Sequence, residues 1–195
     1  MTEDVRGISG LIDQGYYEEA ISAIKQCLRI ENVSAKRAVL LKEMGYCFLR
    51  LGWFENAVPL FTQYLEAFPG DNDARFYLAS AYASLKWTDE SIKELRTILA
   101  SDPTDLLSHH DLAMCYRDKG WLKESLEVMK RANAHAMIYG DPVERELIEN
   151  GLVNLEHENE NGGDNNFKNF LLFMILLLIL MKKKQIGSKR GRFKK

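Results

Sequence analysis

Residues 38–69 read AVLLKEMGYCFLRLGWFENAVPLFTQYLEAFP, and their spacing decides the fold. Apolar or small side chains fall at Leu41, Met44, Gly45 and Phe48; a glycine and an aromatic follow at Gly52-Trp53; Ala57, Phe61 and Pro69 complete the unit. Steps of three and four predict a helix on each side of a turn at Gly52-Trp53. Counting 34 residues onward reaches Lys86-Trp87, another 34 reaches Gly120-Trp121, and 37 residues back lie Gly15-Tyr16. A fixed period of this size marks a stack of supersecondary units.

The next unit repeats the pattern with Arg75, Leu78, Ala79, Tyr82, Ser91, Leu95 and Pro103, and a further one with His109, Leu112, Ala113, Tyr116, Ser125 and Met129. Small residues at Gly45, Ala79, Ala113, Ala57, Ser91 and Ser125 let two antiparallel helices approach, and large ones at Phe48, Tyr82, Tyr116, Phe61 and Leu95 fill the space beside them. One helix pair cannot bury both of its faces, so a continuous core requires stacked neighbours.

The unit resembles the tetratricopeptide repeat, whose pattern W-x2-L-G-x2-Y, A-x3-F and P is met at Leu41, Met44, Gly45, Phe48, Ala57, Phe61 and Pro69, with only the leading Trp replaced. Upstream, Asp4, Gly7, Ile8 and Leu11 depart from the motif, whereas Gly15, Ala20 and Ile24 keep it. The resemblance, which covers roughly residues 7–139, implies an all-α, right-handed solenoid of antiparallel helix pairs, to which the residues beyond it add a capping helix and an apolar carboxy-terminal tail helix. The expected organisation is a degenerate first repeat over 1–36, repeats over 37–70, 71–104 and 105–140, a capping helix over 141–157, an acidic flexible linker over 158–166, and an apolar tail with a basic end over 167–195.

Composition agrees: 195 residues with 46% apolar and 28% charged side chains and a net charge of −2 read as one helical domain with extras, and no bulk positive charge points to nucleic acid. Asp141-Pro142-Val143-Glu144 is a helix start of the capping-box kind. Met1 to Arg6 carries no apolar run, so no secretory signal is expected and the repeats are expected in the cytoplasm. Cys27, Cys47 and Cys115 lack ligand spacing and read as small buried hydrophobes.

The tail is different material. Phe170, Leu171, Leu172, Phe173, Met174, Ile175, Leu176, Leu177, Leu178, Ile179, Leu180 and Met181 form twelve uninterrupted apolar residues, and eight Lys or Arg occupy the last fourteen positions. As a helix this run spans about 18 Å, short of a hydrocarbon core of about 30 Å. Its burial is worth on the order of 20 kcal/mol, so it will leave water for a bilayer, for a groove of the repeats, or for aggregates. The reading adopted is a short membrane anchor or transmembrane helix; sending eight cations across the bilayer runs against the positive-inside tendency, a conflict that insertion from one side, with the basic end on anionic headgroups, avoids.

No nucleophile and base set, HExxH, phosphate loop or CxxC pair is present, so no enzymatic activity, metal or cofactor is expected. The resemblance instead implies a concave face lined by the first helix of each repeat, giving a peptide-binding groove of Lys42, Tyr46, Leu49, Arg50, Phe76, Tyr77, Ser80, His110, Met114 and Arg117, with Val39, Glu43, Asp73, Leu107 and Asp111 beside them. Of the lysine, asparagine and arginine clamp that some repeat proteins close on a terminal carboxylate, only Lys42 matches; Tyr46, Tyr77, Leu107 and Asp111 replace the rest. The expected function is therefore a non-enzymatic interaction scaffold, membrane-associated through its tail, binding apolar anchors flanked by acidic residues rather than a small-molecule substrate. The alternative is a soluble chaperone of secreted or membrane-protein segments, with the tail as its own ligand in the groove.

Overall fold

The computed structural model of the protein describes residues 3–161. Eight helices run in order: α1 (Glu3–Asp13), α2 (Tyr17–Ile30), α3 (Ser34–Arg50), α4 (Phe54–Ala67), α5 (Asn72–Ser84), α6 (Thr88–Ser101), α7 (Leu106–Asp118) and α8 (Leu122–Tyr139). A ninth, α9, spans 142–161. Consecutive helices pack on one another along the chain, and α3 also touches α5, the neighbour one pair on. The described residues thus form an all-α solenoid of four helix pairs followed by one further helix.

The turn inside each pair has a single backbone solution. At the second turn the Gly52 amide donates to Leu49 O at 3.1 Å and the Trp53 amide to Phe48 O at 2.8 Å. These two bonds satisfy carbonyls that the end of α3 would otherwise leave unpaired, and they require a residue with positive φ between helix and aromatic. That residue is Gly15, Gly52 or Gly120 in three turns and Lys86, at φ 62°, in the other. The aromatic after the turn then lies against the large residue that closes the first helix: Trp53 on Phe48 at 5.7 Å, Trp87 on Tyr82 at 5.8 Å and Trp121 on Tyr116 at 5.8 Å between ring centroids.

Between the helices of a pair the small residues permit close approach. A Cβ added to Gly45 would lie 3.1 Å from the Phe61 ring, and the buried Ser125 hydroxyl reaches across to donate to Ala113 O at 2.6 Å. The core is accordingly a chain of local clusters. One gathers Ile8, Ile24, Phe48, Phe61 and Leu78, a second Ala79, Leu95, Leu112 and Tyr116, and a third Ala113, Met129, Ile148 and Leu155.

Helix starts are capped where aspartates precede them: Asp71 accepts from the Ala74 amide at 2.9 Å and Asp105 from the Leu107 amide at 3.2 Å. At α9, Asp141 Oδ1 accepts from the Val143 and Glu144 amides at 2.8 and 2.9 Å while Glu144 takes the Asp141 amide at 3.1 Å, a reciprocal capping box. One expectation needs correction. α9 does not stop at 157; residues 158–161, assigned above to the linker, are helical. Glutamates continue a helix readily, Asn161 folds back onto His157 at 3.0 Å, and the first glycine of the segment comes only at Gly162. The remainder of the linker and the apolar tail lie outside the described residues, and among the described residues no helix is long and apolar enough to cross a membrane.

Candidate functional site

The first helices α3 and α5 carry Tyr46 and Tyr77, whose rings lie 5.2 Å apart between centroids. Tyr17, the first residue of α2, adds its ring edge-on to Tyr46 at 6.5 Å, and Phe61 of α4 supports Tyr77 at 5.8 Å. A continuous aromatic wall therefore crosses three successive pairs. Arg50, one turn beyond Tyr46 on α3, bonds the Tyr46 hydroxyl at 2.8 Å, and its guanidinium stands 5.1 Å from the Tyr17 ring centroid and 5.7 Å from that of Tyr46. The i,i+4 spacing of Tyr46 and Arg50 makes this pairing possible. Arg50 is exposed and crowns the wall with a positive charge.

Lys42 is held within the fold by an ion pair. Its Nζ donates to Asp71 Oδ2 at 2.7 Å and stands 5.3 Å from the Tyr64 ring centroid, and the Tyr64 hydroxyl donates to the same Oδ2 at 2.7 Å. Asp71 thus joins three groups: Lys42 of the preceding pair's first helix, Tyr64 of its second, and the capped end of α5. Burial alone would raise the Asp71 carboxyl, but the bonds from Lys42, the Ala74 amide and Tyr64 outweigh it and hold the group down at about 2. Burial, reinforced by the bond to Asp71, pushes the Tyr64 phenol up to about 12. Lys42 is structural glue between pairs rather than a free groove cation.

Glu43, on the neighbouring position of α3, is half-buried; burial raises its carboxyl, Lys42 opposes the rise and Asp13 adds to it. Burial likewise raises the Tyr77 phenol. Asp73 and Glu43 stand near enough to Tyr77 to raise its phenol further, so the wall has acidic groups beside it as well as Arg50.

The remaining groove candidates divide. Leu49 and Ser80 are half-buried, and Val39 and Leu107 are exposed. Arg117 lies 3.4 Å from Asp118. Phe76 is partly buried against the second core cluster and Met114 against the third, as Tyr46 and Tyr77 are against the first, so none of the four is fully exposed. His110 contacts Asp111 at 3.0 Å, and a Cβ added to the buried Gly151 of α9 would meet its Cδ2 at 3.4 Å and Met129 Cε at 2.9 Å. α9 thus packs against α7 at His110, and Met114 adjoins the cluster that α9 completes. Sequence reasoning missed Tyr17 and Tyr64 and read Asp71 only as a helix cap. A signal existed for Asp71, whose place two residues after Pro69 marks a cap next to the second helix of the preceding pair.

The cysteines are free, with Cys47 and Cys115 buried; burial, followed by the nearby Glu43 charge, pushes the Cys47 thiol up to about 11, which keeps it un-ionised and unreactive. Among the described residues no group of three or more His, Cys, Asp or Glu is arranged to hold a metal ion.

Comparison with known proteins bears on the family. Models of the tetratricopeptide repeat match residues 48–113 and, separately, 11–33. A TPR repeat-containing protein of Methanocaldococcus jannaschii is 37% identical over 60 residues, which is 31% of this chain and 19% of that protein. The match thus spans about a fifth of the relative's length. Among solved structures, the nearly identical TPR-like repeats of a Podosopora anserina kinesin light chain superpose with a TM-score of 0.68 at 20% identity, covering 86% of this chain and 89% of that one. MamA of strain RS-1 gives 0.61 at 18% identity over 83% and 99% of the two chains, and the Sgt2 TPR domain of Aspergillus fumigatus 0.57 at 17% over 65% and 82%. At such identities these neighbours speak to fold alone. The matched segments and the recurring turn make residues 11–33 and 48–113 of this chain tetratricopeptide repeats.

Proposed function

We propose that the solenoid is a non-enzymatic scaffold that holds a partner segment against the wall of Tyr17, Tyr46 and Tyr77. Protein-interaction scaffolding is the role this fold supports, and the wall is the observation that carries the finer reading. Three aromatic rings from three consecutive pairs form one surface with a guanidinium at its edge. Rings of this kind supply large contact area at low entropic cost and dominate binding energy where they are central. With Lys42 neutralised by Asp71, the acidic flank expected of the partner narrows to one acidic group, placed to meet Arg50. Next to it the partner presents an apolar or aromatic side chain to the tyrosines. The apolar run at 170–181 is the proposed point of membrane attachment, and a soluble reporter fused to residues 167–195 should then sediment with membranes; a reporter that stays soluble and monodisperse contradicts that half of the reading.

Arg50 tests the wall cleanly because it is exposed and outside the core. Arg50→Glu should weaken capture of partners that co-purify with the wild-type chain by about tenfold or more, as reversal of a charge facing an acidic group does, with an unchanged thermal melt. Equal capture by wild type and Arg50→Glu would remove Arg50 from the site.

A further inference from the structure

The first helices inside the stack, α3, α5 and α7, bury residues around their circumference, whereas α9 is buried along one stripe. α3 buries Ala38, Leu40, Met44, Gly45, Cys47 and Phe48, spread around the helix. α9 buries Ile148, Gly151 and Leu155, with Leu152 partly covered, all on the stripe that meets Met129 and Ala132. On its other side Val143, Leu147 and Val153 are exposed. They continue into the corner where α8 meets α9, at which Met137, Ile138 and Tyr139 are 65%, 68% and 77% exposed and Val143 is 75% exposed. This is the densest group of exposed large apolar side chains among the described residues. Scattered exposed apolar residues are ordinary, but four such side chains within seven residues of sequence, Met137, Ile138, Tyr139 and Val143, are the concentration that marks a contact surface.

Charge selects the occupant. Residues 142–161 carry Glu144, Glu146, Glu149, Glu156, Glu158 and Glu160 against a single Arg145. A second copy of α9 would bring like charges together, and an anionic bilayer surface would be repelled as well. The chain itself holds a segment of matching chemistry: twelve apolar residues at 170–181 followed by eight Lys or Arg within 182–195. Eight residues, 162–169, separate it from the end of α9 and include Gly162-Gly163. At about 3.3 Å per residue they reach well over 20 Å, ample for the chain to reverse. The twelve-residue run is about 18 Å long as a helix and up to about 40 Å if extended, and α9 is about 30 Å long, so an antiparallel return covers most of its outer side. Tethering by so short a connection gives an effective concentration in the millimolar range.

We propose that, away from a bilayer, residues 170–181 fold back onto the outer side of α9 and the adjoining α8–α9 corner, with the basic residues 182–195 against the glutamates of α9. The segment thereby supplies the second partner that α9 lacks among the described residues. This is a different surface from the tyrosine wall, and it stands or falls independently of the function proposed for that wall.

The test uses the full chain in lipid-free buffer, with light scattering to establish the monomer. Hydrogen exchange of peptides from residues 142–161 should be about tenfold or more slower in the wild type than in a full-length Leu172→Ser, Leu176→Ser, Ile179→Ser variant, because covering raises the local opening free energy. Glu146→Lys with Glu149→Lys, both exposed, should speed exchange in the same peptides without changing the melt of the repeats. In a third variant, Leu147→Cys with Leu176→Cys should form a disulfide within one chain under mild oxidation. Equal exchange rates in wild type and tail variant, or disulfides formed only between chains, would overturn the proposal.

Discussion

Lys86 occupies the left-handed turn position that Gly15, Gly52 and Gly120 hold in the other pairs, at φ 62°. A side chain with Cβ costs roughly 1 kcal/mol there, and the ion pair that Lys86 makes with Asp118, 3.6 Å long and exposed, offsets little of that. Lys86→Gly should therefore raise stability by about 0.5 to 1 kcal/mol, read as a higher midpoint in urea at unchanged m; a lowered midpoint would show that the turn is not strained. Asp71 gives the pH counterpart. Its folded-state carboxyl is held at about 2, below the ordinary aspartate value of 3.8, so its stabilisation is complete above about pH 4 and is lost as the pH falls toward 2. Acid titration of stability should be steeper between pH 4 and 2 in the wild type than in Asp71→Asn. Parallel curves would mean that the bonds from Lys42 and Tyr64 do not tie the pairs together.

Within a helix pair, the approach at Gly45 is set by the Phe61 ring, 3.1 Å from where a Cβ would stand. Gly45→Leu should cost about 1 to 3 kcal/mol or more through overpacking, and a melt unchanged within error would contradict the packing described. α4 contains Pro59 in its interior, yet the helix continues from Phe54 to Ala67 and the side chain is exposed. Pro59→Ala restores an amide donor where a helical bond is missing and should stabilise the protein by about 1 kcal/mol or more; a loss of stability would show that the ring is packed or that a bend at this point is required. These element-level features were legible because they recur. The period of 34 residues, the turn glycines and the small residues at Gly45, Ala79 and Ala113 each repeat the same local requirement, and repetition separates a requirement from chance. The helical end of α9 was less legible, since glutamate and asparagine read equally as a solvated linker and as the exposed side of a final turn.

At the scale of the molecule, repeat alignment locates a column of residues but not what each touches. Lys42, Phe76 and His110 are equivalent by period, yet one is held by Asp71, one rests on the second core cluster and one lies beneath α9. The Lys42 pairing spans 29 residues of sequence and depends on how two pairs stack, and the covering of His110 depends on the side from which α9 returns. Neither is a local property of the motif. Tyr46 and Tyr77 come from two further columns, Tyr46 with Ser80 and Met114 and Tyr77 with Glu43 and Asp111, and their joining with Tyr17 and Arg50 into one wall is a product of stacking. The wall is half-buried, so its rings have two possible duties: stabilising neighbouring pairs and receiving a partner. The measurement that separates these most directly pairs affinity with stability in the Tyr46→Ala, Tyr77→Ala variant. The account predicts that partners retained by the wild-type chain bind at least about thirtyfold more weakly, the equivalent of roughly 2 kcal/mol, while the helical signal and a cooperative melt persist. Wild-type affinity together with a lowered melting temperature would contradict it and leave the tyrosines as packing between repeats.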